Sequence, residues 1–269
     1  MRFAINQVTL GERDFREVAE ACSQAGFTAM EFWLPHIQAY LAGGHSVCDV
    51  RAILNDNGVV AAGACFVMGL LGSNAESKRE AFDVAKARFE LCQELGAGAI
   101  ACVGDGPEQP SPEDYDHAVE RAREIGDLAE SFDLTVGLEF VAGLPFLGTL
   151  ATTGRLVAQA DHSHVGVLLD TFHFWAGRSK MADFDGLGDA PITFVHLNDV
   201  ANAPRETLTD TERVLPGDGV LPLADVMARV EATGYDGYYS LELFDRTLWE
   251  QPPAEAARRA FAACQRLAR

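Results

Sequence analysis

Val165-Gly166-Val167-Leu168-Leu169-Asp170 is a short apolar run that ends in a carboxylate, and Thr171-Phe172-His173-Phe174 follows it directly. A run of this length, rich in β-branched residues, has the extent of a strand and is too short for a helix. The pattern recurs. Apolar or β-branched runs lie at 3–7, 27–33, 59–65, 99–103, 135–140, 192–198 and 238–243, which together with 165–170 makes eight expected strands.

Stretches of helical period separate these runs. Phe15, Val18, Ala19 and Cys22, and likewise Ala118, Ala122, Ile125, Ala129 and Phe132, recur at three and four residues and so line one helix face. Further helices are expected near 46–56, 76–95, 150–159, 223–233 and 254–267, whereas the connection around 183–188 is too short for a full one. Gly26, Gly58, Gly96 and Gly234 each stand between a helix and the next strand, the position that closes a helix. Eight strands alternating with helices require parallel pairing through crossovers, and an α/β barrel closes at roughly 250 residues. The expectation is an α/β fold, a (β/α)8 TIM barrel, forming one domain over residues 1–269.

Composition excludes several classes of partner. With 48% apolar residues there is ample material for a large core. The net charge of −19 repels phosphate backbones and anionic lipid, which excludes nucleic acid and membrane surfaces as partners. The opening Met1-Arg2-Phe3-Ala4-Ile5-Asn6 runs straight into strand-like sequence without the layout of a secretory signal, and no apolar stretch approaches the ~20 residues of a membrane span. A cytoplasmic location is expected. Six scattered cysteines without a C-x-x-C pair read as reduced core thiols.

In such a barrel, chemistry gathers at the C-terminal ends of the strands. Four successive strands end in a residue able to bind a metal: Glu139, Asp170, His196 and Glu242. Each follows apolar sequence and would stand at the buried mouth, where an isolated charge is strongly disfavoured. A divalent cation answers that problem for all four at once. Three carboxylates and an imidazole suit Mn2+ or Mg2+ first, with Co2+ and Zn2+ also accommodated. His173, three residues after Asp170, and Arg213, in a long loop after the seventh strand, are placed to reach a substrate. Trp33, Phe66, Phe140, Phe172, Phe174, Trp175, Phe244 and Trp249 fall at or beyond strand ends, where they would either wall a pocket or pack helix against sheet.

The stretches Gly137-Leu138-Glu139-Phe140-Val141, 165–174, Leu208-Thr209-Asp210 through Arg213 to Pro216-Gly217-Asp218-Gly219, and Tyr239-Ser240-Leu241-Glu242-Leu243-Phe244 resemble the xylose-isomerase-like barrels, and within them the inosose (2-keto-myo-inositol) isomerases most. The resemblance is strong over 135–244 and is carried by strand rhythm before that. It implies metal binding by Glu139, Asp170, His196 and Glu242 and substrate contacts from His173, Arg213 and Glu31. Glu31 is alternatively a structural carboxylate paired with a neighbour.

The activity implied is isomerisation or epimerisation of a small keto-polyol. The metal acidifies the C–H between two chelated oxygens, Glu139 or Glu242 removes the proton, and an enediolate is reprotonated. Three rivals follow. A lyase of the same fold, a dehydratase or a 3-keto-glycoside-cleaving enzyme, would start from the same proton abstraction, sometimes with a small partner subunit. A non-catalytic sugar-binding barrel would bind without exchange. The apurinic endonucleases share Asp170-x-x-His173 and His196-Leu197-Asn198-Asp199, but here Cys65-Phe66-Val67 and Val103-Gly104-Asp105 stand where further histidine ligands would be needed. Conspicuous basic residues near the mouth number only Arg213, Arg178 and Lys180, which favours a neutral substrate over a phosphorylated one. Homo-oligomerisation is compatible with all of these.

Overall fold

The computed structural model describes residues 1–72, 75–104 and 106–268. Asp105, singled out above at the end of the fourth strand, lies outside the described residues. Eight strands form the barrel: β1 (Arg2–Asn6), β2 (Ala29–Trp33), β3 (Val60–Val67), β4 (Ala99–Val103), β5 (Thr135–Glu139), β6 (Val165–Asp170), β7 (Ile192–Leu197) and β8 (Tyr238–Leu241). Each pairs in parallel with its neighbours, and β1 closes the ring by pairing with β8. This is the closed barrel the alternating pattern calls for.

Helices Phe15–Ala25, Val47–Asn57, Ala75–Leu95, Pro112–Glu130, Leu150–Ala160, Leu223–Ala232 and Pro253–Leu267 surround it. Gly26 ends the first of these in the left-handed region, with its amide returned to Cys22 and Ser23, as its place in the sequence requires. Among the described residues, no helix is long and apolar enough to cross a membrane. Cys22, Cys65, Cys92, Cys102 and Cys264 are buried, and Cys48 is exposed.

Side chains fill the barrel's interior in a small separate cluster of Ala4, Ala29, Ala62, Cys65, Ala101, Leu168 and Phe194. Two large residues, Leu168 and Phe194, stand among four alanines and Cys65, and glycines make room for them. A Cβ at Gly63 would lie 3.0 Å from the Phe194 ring, and one at Gly137 would lie 3.0 Å from Leu168 Cβ. The larger core packs helices on the outside of the sheet.

Three departures from the expected elements bear on the mouth. Thr171–Ala176, which is not among the expected helices, forms a short one because the Asp170 side chain accepts from the Phe172 and His173 amides and caps it. Arg213 does not lie in an irregular loop: Arg213–Val214 pairs antiparallel with Asp199–Val200 in a two-stranded hairpin above β7. An unanticipated helix, Leu34–Ala42, follows β2 at once, with Pro35 in its first turn.

Candidate metal centre

Glu139 and Asp170 are the last residues of β5 and β6, His196 stands in β7 opposite Asp170, and Glu242 follows β8 directly. The Glu242 amide still donates to Leu197 O, so the ladder between β7 and β8 extends to this residue and fixes its backbone. One donor atom from each of the four lies within 4.8 Å of the other three, and all four residues are buried. His196 Nδ1 is 3.3 Å from Glu139 Oε1, 3.3 Å from Glu242 Oε2 and 3.8 Å from Asp170 Oδ2. The barrel register thus delivers four side chains from four adjacent strands to one point.

The electrostatics of this point demand positive charge. Burial pushes the Glu242 carboxyl well above the usual carboxylate range, Glu139 and Asp170 add to the shift, and His196 and Arg213 oppose it. Burial also disfavours the charged form of His196, yet Glu242 and then Glu31 outweigh it and hold its pKa well above that of an ordinary histidine. Asp170 stays below the usual range, because Arg213, His173 and His196 together overcome its burial. Protons are therefore drawn onto Glu242 and His196, a demand that one divalent cation meets with no net proton uptake. Its oxygen-rich donors fit Mn2+ or Mg2+, and the imidazole also admits Zn2+ or Co2+.

Glu31 lies behind His196. Its Oε1 is 2.9 Å from His196 Nε2, and its Oε2 accepts from Asn6 Nδ2 (2.9 Å) and Ser240 Oγ (2.6 Å). Asn6 Nδ2 also reaches Glu242 Oε1 at 3.2 Å and Cys65 Sγ at 3.3 Å. The Cys65 thiol is pushed up by burial, with Glu31 and Glu242 adding, and stays protonated.

Arg213 forms the opposite side of the cluster and is fully enclosed. Its Nη1 donates to Asp170 Oδ2 (2.5 Å) and Glu242 Oε2 (3.1 Å), and its Nε and Nη2 donate to Asp210 Oδ1 (3.1 and 2.9 Å). The guanidinium also stacks against Phe172, at 4.7 Å, and Phe244, at 5.4 Å. His173 stands between Arg213 and Glu139, with Nε2 3.3 Å from Arg213 Nη2 and 3.9 Å from Glu139 Oε1. The Ala142 amide faces its Nδ1 at 3.3 Å. Burial lowers the His173 pKa, and a neutral ring accepts at one nitrogen only. Arg213 Nη2, which keeps a second hydrogen beyond the one given to Asp210, and the Ala142 amide both present donors to the ring, so only one of these two contacts is met by the neutral imidazole.

Of the aromatic residues at strand ends, Trp33, Phe66 and Phe244 pack together beside the cluster, with centroids 5.0 and 5.8 Å from Trp33. Phe66 has φ +86°, a conformation costly for a side chain with a Cβ. Phe140 and Phe174 belong instead to the outer core, Trp249 is tied to Val8 O, and Trp175 lies under Arg205 at 3.8 Å. Asp199, part of the motif shared with the endonucleases, is a loop anchor. Its two oxygens accept from the amides of Val200, Leu221, Gly217 and Gly219 at 2.8–3.1 Å. This explains Pro216-Gly217-Asp218-Gly219, since a Cβ on Gly219 would stand 2.3 Å from Val200 O.

The structure places all seven candidate residues in one connected network. It adds Asn6, Ser240, Asn198 and Asp210, which the sequence reading passed over. Asn6 is the last residue of β1, so the strand-end criterion used for the ligands applies to it equally. Asn198 Nδ2 supports Asp170 Oδ1 at 3.3 Å.

Residues 19–267 match the xylose isomerase-like TIM barrel family. The chain is 30% identical over 234 residues to a 3-dehydroshikimate dehydratase of Pseudomonas putida, covering 85% of this chain and 36% of that protein. It thus spans little more than a third of that relative's length. It is 25% identical over 250 residues to an inosose isomerase of Bacillus velezensis, covering 91% of this chain and 89% of the relative. In three dimensions it is similar to the IOLI protein, a crystal structure with a bound zinc atom, at TM-score 0.91 and 24% identity over 99% of this chain and 98% of that one.

Proposed function

The chain belongs to the xylose isomerase-like TIM barrel family, and on that premise we propose that it is a divalent-metal-dependent isomerase or epimerase of a neutral keto-polyol, an inosose or a ketose. The observation that carries this reading is the convergence of Glu139, Asp170, His196 and Glu242 within 4.8 Å, with three carboxylates around one imidazole. The zinc atom in the IOLI structure and the inosose isomerase of B. velezensis support it. The proposed partner is a small molecule, with no role for nucleic acid.

When bound, the cation would polarise adjacent carbonyl and hydroxyl oxygens of the substrate and acidify the C–H between them. The chain's own residues divide the remaining work. Both oxygens of Asp170 and both of Glu242 are engaged by protein donors. Glu139 uses Oε1 toward His196, while Oε2 has no partner among the described residues, so Glu139 is the carboxylate free to accept the substrate proton. Returning that proton to the neighbouring carbon gives isomerisation, and delivery to the original carbon from the other face gives epimerisation. His173, whose Nε2 stands 3.9 Å from Glu139 Oε1, is placed to bond a substrate oxygen. Because the Arg213 fork is filled by Asp170, Glu242 and Asp210, it is not available to a phosphate or carboxylate, and the Trp33, Phe66 and Phe244 wall suits C–H faces.

A second reading, dehydration, is favoured by the P. putida relative. It shares the first proton abstraction and differs in losing a hydroxyl from the next carbon, to which His173 could lend its proton. Proton NMR of the Mn2+- or Mg2+-loaded protein, after removal of paramagnetic metal, with inososes, ketohexoses and 3-dehydroshikimate in deuterated water separates the two. Deuterium uptake at the carbon next to the carbonyl, with a new isomer, supports isomerisation; loss of water supports the dehydratase; no exchange with any of them sinks both.

A further inference from the structure

Glu31 lies within β2 in a sugar-active type of site, which suggests a substrate contact, but its geometry leads elsewhere. Both of its oxygens are consumed inside the protein, and the residue is fully buried. Three donors converge on it: His196 at Oε1, and Asn6 Nδ2 and Ser240 Oγ at Oε2. The register makes this arrangement unavoidable, since Asn6 pairs with Glu31 across β1 and β2, and Ser240 pairs with His196 across β8 and β7. Asn6 cannot be turned over to relieve it, because its Oδ1 already accepts from the Val8 amide at 3.0 Å.

A histidine that ligates through Nδ1 must carry its proton on Nε2, and the tautomer is set by whatever faces that second nitrogen. In this protein that partner is Glu31. We propose that Glu31 is a positioning residue of the metal centre: by accepting from His196 Nε2 it keeps the Nδ1 lone pair directed at Glu139, Asp170 and Glu242, and through Asn6 it fixes Glu242 as well. The proposal rests on the metal-dependent reading above and assigns Glu31 no contact with substrate.

Glu31→Gln is the informative variant, because it keeps the size of the side chain and removes one acceptor. With its oxygen toward Asn6 and Ser240, its NH2 faces His196 Nε2 and drives the ring to the tautomer protonated at Nδ1, which cannot ligate. With its oxygen toward His196, its NH2 opposes the fixed NH2 of Asn6. Either orientation damages the metal centre. Ser240→Ala removes a donor from Glu31 without touching the pair with His196, and it serves as the companion variant that tests folding.

Zn2+ and Mn2+ affinities of the full chain are measured by calorimetry, with far-ultraviolet circular dichroism to confirm folding. Long-range proton–nitrogen NMR of the 15N-histidine, Zn2+-loaded protein reports the tautomer. The expected result is a loss of roughly 10- to 100-fold in metal affinity for Glu31→Gln, with a much smaller change for Ser240→Ala, and an Nε2-protonated His196 in the wild type and in Ser240→Ala. Equal metal affinity in a folded Glu31→Gln variant overturns the proposal, as does a variant that loses substrate affinity alone. Should Glu31→Gln not fold, a Ser240→Ala variant that loses as much metal affinity as a ligand mutant overturns it, and one that retains both metal and the Nε2–H signal supports it. A wild-type chain that binds neither metal would instead sink the metal-dependent reading itself.

Discussion

Replacing Asp170 with asparagine separates two duties of one side chain. Asp170 Oδ1 accepts from the Phe172 and His173 amides and caps the helix Thr171–Ala176, a task asparagine performs about as well. Oδ2 receives Arg213 Nη1 at 2.5 Å and faces the ligand cluster, and there asparagine presents an NH2 to a guanidinium. Removing one partner of a buried ion pair costs about 3–5 kcal/mol. The lower end applies here, since Glu242 Oε2, at 3.1 Å, and Asp210 still face Arg213. At roughly 2–4 °C per kcal/mol for a chain of this size, about 3 kcal/mol lowers the melting temperature in EDTA by roughly 6–12 °C. A second effect is independent of the first. At a metal concentration of about 100 Kd the wild type gains about 2.7 kcal/mol, or roughly 5–11 °C, and the variant gains almost nothing. Scanning calorimetry with EDTA and with Mn2+ measures both. A variant that melts with the wild type in EDTA refutes the Arg213 pairing, and one that keeps the full metal shift refutes Asp170 as a ligand.

Glu139→Gln should lower proton exchange on an active ketose by about 100- to 10,000-fold while the protein stays folded, and deuterium uptake followed by NMR checks this; near-normal exchange would move the base elsewhere. Titration with an aromatic disulfide at pH 8 should modify Cys48 quickly and the other five thiols only after unfolding, because burial pushes Cys22, Cys92 and Cys264 up to about 12. Gly219→Ala should cost about 1–3 kcal/mol in urea unfolding, since its Cβ would meet Val200 O at 2.3 Å and Asp199 Oδ1 at 2.4 Å; a neutral result would show that the loop relaxes freely.

The fold could be read from the sequence because each barrel strand is a local signal. Alternation of short apolar runs with helical periods survives without any knowledge of partners, and the four ligands stood out because each ends such a run. The elements that were missed lacked a local boundary signal or are set by non-local interactions. The helix Leu34–Ala42 begins immediately after β2, so no turn residue separates it from the strand. The hairpin that carries Arg213 has two residues on each side and is held by Asp199, whose four amide partners lie between 1 and 22 residues downstream.

The same distinction separates the ligands from the residues that orient them. A strand carboxylate such as Glu31 has one appearance in sequence, whether it faces a substrate or a histidine. What decides between those roles is the cyclic register, which brings β1 and β2 against β7 and β8 and seats Asn6, Ser240 and His196 around it, although the partners are 25, 209 and 165 residues away. Arg213 follows the same logic. Its sequence context offered a free guanidinium, whereas the closed ring supplies Asp170 and Glu242 and the same loop supplies Asp210 to claim it, and the substrate is left a site whose cation is already spent on the protein's own charges.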